Sequence, residues 1–301
     1  MAVRIPFRPF PPAPERRRVL FTIAHYYAES PDGKYGSTRS GARMARRNAL
    51  EGAISILRDT IAQPHALVHG PAHGFVPANG DDATEVDIVV CTTGGDHLVD
   101  ELGLPAGAFR HHRTAANPRF LGYECHAVLR DAVADYDWLC FLEDDIALVD
   151  PMFFTKLDWF AGWAGPDAVL QPNRFETLEH GPVQRLYIDG EPSSIDKLGY
   201  VPDRRDRTWI SAEALGRRMW FGRVPNAHSG CFFLSRAQMR HWMAQPDFLR
   251  RDRDFVGPLE SAATLGLLRH FRVYKPARAN ASFLEVRHLH RRYLGAMLDI
   301  V

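Results

Sequence analysis

The stretch D-Y-D-W-L-C-F-L-E-D-D-I-A-L-V-D-P-M-F-F, from Asp135 to Phe154, decides the fold. Its five apolar residues Trp138 to Leu142 read as a fully buried strand that runs straight into Glu143, Asp144 and Asp145. Three adjacent carboxylates raise one another's pKa unless a cation is near, and a divalent metal relieves that cost. Mg²⁺ and Mn²⁺ are held in phosphate-handling sites by one or two carboxylates, with water and substrate phosphates completing the shell. The plain alternative is a solvated turn that caps the next element.

Working outward, V-L-F-T-I-A (Val19 to Ala24) reads as a first buried strand and V-D-I-V-V-C-T-T (Val86 to Thr93) as a second, closed by Gly94-Gly95. Between them, Leu50, Ala53, Ile54, Ile56, Leu57 and Ile61 recur at helical spacing over Ala45 to Ala62. A second helix, Phe120 to Ala134, carries Leu121, Cys125, Val128, Leu129 and Val133 on one stripe. Downstream come helices over Pro151 to Trp163, Arg236 to Gln245 and Leu259 to His270, and strands over Gly230 to Ser235 and Phe271 to Tyr274. Alternating strands and helices predict an α/β fold in one compact domain, an open, mostly parallel central sheet with flanking helices. Ligands of such sheets bind beyond the carboxyl ends of the strands, where the acidic triplet stands. The lead over residues 1–18 looks disordered, and the polar stretch 179–219 reads as a long substrate-covering loop.

Composition narrows the partners. The 301 residues carry 37 Lys+Arg against 36 Asp+Glu, a net charge of +1 that argues against a general nucleic-acid binder. Only Lys34, Lys156, Lys197 and Lys275 are lysines, so arginine, the better fork for phosphate, supplies the other 33 cations; codon bias accounts for most of that excess. Cys91, Cys125, Cys140 and Cys231 form no C-x-x-C pair and read as buried thiols. The first apolar run is too short for a signal peptide, and no run reaches the roughly 18 residues of a membrane span. A cytoplasmic protein without a transmembrane segment is expected, and peripheral membrane association stays compatible with it.

The segment Asp135 to Phe154 resembles the region around the D-x-D-type motif of GT-A-fold glycosyltransferases, its E-D-D form being similar to that of N-acetylglucosaminyltransferase I-like enzymes. The resemblance implies a GT-A-like sheet and transfer of a sugar from a nucleoside diphosphate donor, commonly UDP, to a glycan or other hydroxyl acceptor, with Mn²⁺ or Mg²⁺. It implies Asp145 as metal ligand and Glu143 and Asp144 as nucleotide-sugar contacts, residues 19–145 forming the donor half and 146–301 the acceptor half. His25 and Tyr26 then stand where such enzymes hold the base. Arg119 and Arg130, on N-P-R-F-L-G-Y-E-C-H-A-V-L-R-D-A, are placed to meet the diphosphate.

N-A-H-S-G-C-F-F-L-S-R (Asn226 to Arg236) is similar to the loop that brings acceptor and donor together, with Ser229 and Gly230 at the acceptor. Glu260, at the start of an apolar helix, matches the position of the catalytic base, with Asp252 and Asp254 as competitors and a plain first-turn acid as the bland reading. His288 and His290, two apart on an extended segment, face one side, and a C-terminal histidine often completes such a metal site. Two rivals stand beside this reading. One is a nucleotidyltransferase of related architecture, whose phosphate loop would have to be Gly33-Lys34-Tyr35-Gly36; the other is a non-catalytic nucleotide-sugar-binding protein.

Overall fold

The computed structural model of the chain describes residues 16–30, 37–62, 65–69, 74–79, 83–177, 184–189, 208–223, 226–252, 257–290 and 293. The Gly33 to Gly36 segment, most of the 1–18 lead and much of 179–219 lie outside the described residues.

The predicted α/β architecture is present. The central sheet runs β13(Cys231–Ser235), β6(Trp138–Glu143), β1(Arg17–Ala24), β4(Thr84–Thr93) and β5(Arg110–Thr114), with β6, β1, β4 and β5 parallel and β13 antiparallel to β6. Strictly alternating residues of β1 supply both faces. Val19, Phe21 and Ile23 enter one core with Leu50, Ile54 and Leu57 of α1(Arg43–Ile61) and with Phe153, Phe154, Leu157 and Phe160 of α3(Phe153–Ala164). Leu20 and Ala24 enter the other, covered by α2(Leu121–Asp131), α4(Arg236–Met243) and α5(Pro258–His270). Strands buried on both faces read as unbroken apolar runs, which is why β1, β4 and β6 stand out in the sequence.

The chain leaves β1 through α1 for β4 and β5 on one side, then returns through α2 to β6 on the other side of β1. This reversal opens a crevice at the carboxyl ends of β1 and β6, the switch point of an open sheet. Register puts Ala24 opposite Glu143 there.

Two smaller sheets flank the crevice. One holds β10(Arg185–Tyr187), β9(Asn173–Thr177), β15(Glu285–His288) and β7(Ile146–Ala147); the other β11(Trp209–Ala214), β12(Arg217–Gly222), β14(Arg272–Pro276) and β8(Ala168–Leu170). Thus the described parts of 179–219, expected as loop, include three strands. The segment from His65 to Ala78 forms the hairpin β2(His65–His69) and β3(Gly74–Ala78). Pairing of His288 with Ile146 across β15 and β7, and donation by the Leu289 N–H to the Asp145 carbonyl at 2.9 Å, bring the C-terminal histidines to the acidic triplet. The four cysteines are free and buried. Among the described residues no helix is long and apolar enough to cross a membrane.

Candidate active site

A cleft of about 730 Å³ opens at this switch point, lined by Ala24 and Tyr26 after β1, Arg46 of α1, Asn117 to Arg119 before α2, Glu143 to Asp145 after β6, and Gly257 to Glu260 at the start of α5. Of the residues expected at the site, Tyr26, Arg119, Glu143, Asp144, Asp145 and Glu260 share this one cavity. Each reaches it for a local reason. The Asn117 side chain accepts from the Arg119 N–H at 3.0 Å and starts a 3₁₀ turn over Pro118–Phe120 that aims Arg119 outward. Pro258 at the first position of α5 fixes the helix start, and Glu260 folds back over Gly257.

His25 is fully buried beneath the cleft, so it contacts Asp144 rather than a ligand. Its Nε2 accepts from the Leu98 N–H at 3.1 Å, which leaves the proton on Nδ1 to donate to Asp144 Oδ2 at 2.6 Å. Arg130 stands outside the cleft on α2 and pairs with Asp131 on the surface. Ser229 and Gly230, expected at the acceptor, do not line the cleft either. Ser229 is buried and donates to the Pro172 carbonyl at 2.8 Å. Gly230 has φ +62°, and a Cβ there would stand 2.9 Å from Glu143 Oε2; the glycine makes room for the glutamate, not for a sugar.

The sequence reading missed Arg46. Its guanidinium is buried on the triplet: Nη2 donates to Asp144 Oδ1 and Nη1 to Asp145 Oδ2 at 3.1 Å. Nη1 also donates to His290 Nε2 at 2.9 Å. Burial alone would lower the Arg46 pKa, but Asp144 and Asp145 outweigh it and hold the guanidinium firmly charged. Burial would likewise raise Asp145, yet His288, Arg46 and His290 together keep its carboxyl well below the usual range. His288 opposes its own desolvation through Asp145 and Glu176, and its pKa is pushed up to about 10. Glu143 goes the other way: burial, against Arg174 and with Asp145 and Glu260, raises it. Behind Glu143 lies a buried charged network. Arg174 Nη1 is 3.9 Å from Glu143, Arg174 also pairs with Asp189, and Lys275 donates to Asp189 at 2.9 Å and to the His228 carbonyl at 2.6 Å.

Among the described residues no three His, Cys, Asp or Glu side chains group as a metal site. The donors present fit a cation only as an open site finished by phosphate and water. Asp145 Oδ1 is buried without a hydrogen-bond partner. His288 Nε2 lies 3.5 Å from Asp145 Oδ2, while its Nδ1 pairs with Glu176 Oε1 at 2.8 Å, the carboxylate-to-imidazole arrangement that orients a histidine ligand. His290 Nε2, 3.7 Å from Asp145, is already engaged by Arg46 and offers no lone pair.

No family model matches the chain, and no curated protein matches it. Among solved structures it is similar to the crystal structure of 4-diphosphocytidyl-2C-methyl-D-erythritol synthase, with 11% identity and a TM-score of 0.37 over 95% of this chain and 99% of that one. The glycosyltransferase resemblance is therefore corrected: no family model and no curated protein places the chain in that family, and the solved structure named above is a synthase of another kind. The twenty residues that carry the resemblance describe a strand ending in acids, which sheets with different chemistries share. At that TM-score the likeness to the synthase carries no argument, so the chemistry rests on the cleft.

Proposed function

We propose that the chain is a nucleotidyltransferase, which joins the nucleoside monophosphate part of a nucleoside triphosphate to a small acceptor and releases pyrophosphate. One observation carries the reading: Asp144 and Asp145, at the carboxyl end of β6, share a single 730 Å³ cleft with Arg119 and the first turn of α5. That volume lies within the range of small-ligand sites. The cleft offers the Tyr26 ring for a base and the Arg119 guanidinium fork for phosphates.

In this reading the acceptor oxygen attacks the α-phosphorus, the bond from that phosphorus to the bridging oxygen breaks, and pyrophosphate leaves in line. Catalysis of such transfers is positioning and charge neutralisation. The Arg119 side chain binds phosphate oxygens, and the His25–Asp144–Arg46 chain of hydrogen bonds fixes the acidic floor. A divalent cation, when bound, supplies charge neutralisation at the departing phosphates, and Asp145 with His288 are the residues that would hold it. Glu260 takes the proton if the acceptor is a hydroxyl; a phosphate acceptor brings its own negative charge and needs no base.

The test is pyrophosphate release from each of the four nucleoside triphosphates with Mg²⁺ and a panel of sugar phosphates, polyol phosphates and free sugars. One nucleotide and acceptor pair is expected to turn over, with Asp145→Asn slowing it about 10²-fold or more. No release from any pair removes the reading.

A further inference from the structure

We propose that Arg46 makes the acidic site selective for a metal that arrives with a polyphosphate, by occupying the carboxylate oxygens that a free cation would take. The inference rests on the phosphate-binding part of the function proposed above, not on which base or acceptor is used.

Four observations carry it. The guanidinium is buried on the floor of the cleft and donates to Asp144 and Asp145, so the triplet already has a cation within bonding distance. Its Nη1 also takes the Nε2 lone pair of His290, which removes one of the two candidate imidazoles. What remains for a metal is the unpartnered Asp145 Oδ1 and the Nε2 side of His288, too few donors to hold Mg²⁺ or Mn²⁺ without help. On the remaining wall of the cleft, Arg119 offers an exposed guanidinium to an anion.

A bare divalent ion entering this site meets a fixed positive charge a few ångströms away in partly excluded solvent, and repulsion at that range costs more than tenfold in affinity. A metal–polyphosphate complex carries a net negative charge. It meets Arg46 as an attraction, and its phosphate oxygens supply the missing ligands. Arg46 would thereby keep the enzyme from holding free metal and couple cation binding to substrate binding.

Calorimetric titration of the full chain tests this with three probes: Mn²⁺ alone, inorganic pyrophosphate alone, and the preformed Mn²⁺–pyrophosphate complex. Pyrophosphate carries no base, so the result stands apart from the nucleotide reading. The wild type is expected to bind the complex at least about tenfold more tightly than either component. Arg46→Met is expected to bind Mn²⁺ alone about tenfold or more tightly than the wild type does, and Arg46→Lys, which keeps the charge, to stay within about threefold of it. Asp145→Asn removes the Mn²⁺ signal of the Met variant. Equal Mn²⁺ affinity in wild type and Arg46→Met overturns the inference. So does a wild type that binds Mn²⁺ alone as tightly as the complex, a measurement that decides the matter even if the Met variant does not fold.

Discussion

Asp144 depends on His25, and this dependence sets a first expectation at the scale of single residues. His25 is fully buried, donates to Asp144 and accepts from the Leu98 N–H. His25→Ala leaves a cavity and an unsatisfied buried amide, so urea unfolding should show a loss of roughly 2–4 kcal/mol. His288 sets a pH dependence. Its pKa is raised from the ordinary 6.5 to about 10 in the folded chain. A raised histidine gives stability that is fully present below 6.5 and is lost as pH climbs toward 10. Asp145, held low, adds stability above its ordinary value of 3.8 that is lost as acid protonates it. The His288–Asp145 pair should therefore stabilise the metal-free protein most between about pH 4 and 6.5, its contribution to Tm falling above that window. His288→Asn should flatten the alkaline fall; an unchanged pH profile in that variant contradicts the assignment. Arg46 shows what sequence hides at this scale. Among Arg43, Arg46 and Arg47 on the first turns of α1 it reads as one more surface cation. Only the packing of α1 beside β7 and β4 turns it inward, onto carboxylates 98 and 99 positions away in the chain.

Elements fix how these side chains meet, and Gly122 is one tight joint. A Cβ at Gly122 of α2 would stand 2.5 Å from the Cβ of Ala262 on α5, so the two helices touch there with no room for a methyl group. Gly122→Ala should lower stability by about 1–3 kcal/mol. It should also weaken ligand binding, because α5 must shift and its first turn carries Glu260 into the cleft. Denaturant unfolding and calorimetry on one variant separate the two effects; intact stability and intact binding together contradict the described crossing. The strands of the central sheet are legible in sequence because burial on both faces leaves continuous apolar runs. Of the small sheet of β10, β9, β15 and β7, only the extended segment that becomes β15 is legible. Its strands are short, and they carry Arg174, Glu176, Glu285 and His288, polar residues that are buried only because partners far along the chain satisfy them. β13 is visible as a strand, but nothing in its residues tells that it runs antiparallel.

For the whole molecule, the near-zero net charge conceals a strong internal arrangement. Acids cluster after β6, while Arg46, Arg174 and Lys275 are buried around them and Arg119 faces the cleft. Most of the other described arginines, Arg130 among them, lie on the surface, in keeping with codon bias as the cause of their number. The topology explains why a local motif located the cleft yet misnamed the family. Any open parallel sheet that reverses direction gathers its functional side chains at the switch point, whatever reaction they serve. Motif reasoning therefore finds the place more readily than the chemistry. The proposed nucleotide site holds its ligand through the phosphates, with a metal at Asp145. Calorimetric titration of the four nucleoside triphosphates in the presence and absence of Mg²⁺, into wild type and Asp145→Asn, tests it most directly. Micromolar binding of one nucleotide is expected, requiring Mg²⁺ and weakening about tenfold or more in the variant. Binding of none of the four with Mg²⁺, or binding that neither Mg²⁺ nor Asp145→Asn alters, would contradict it.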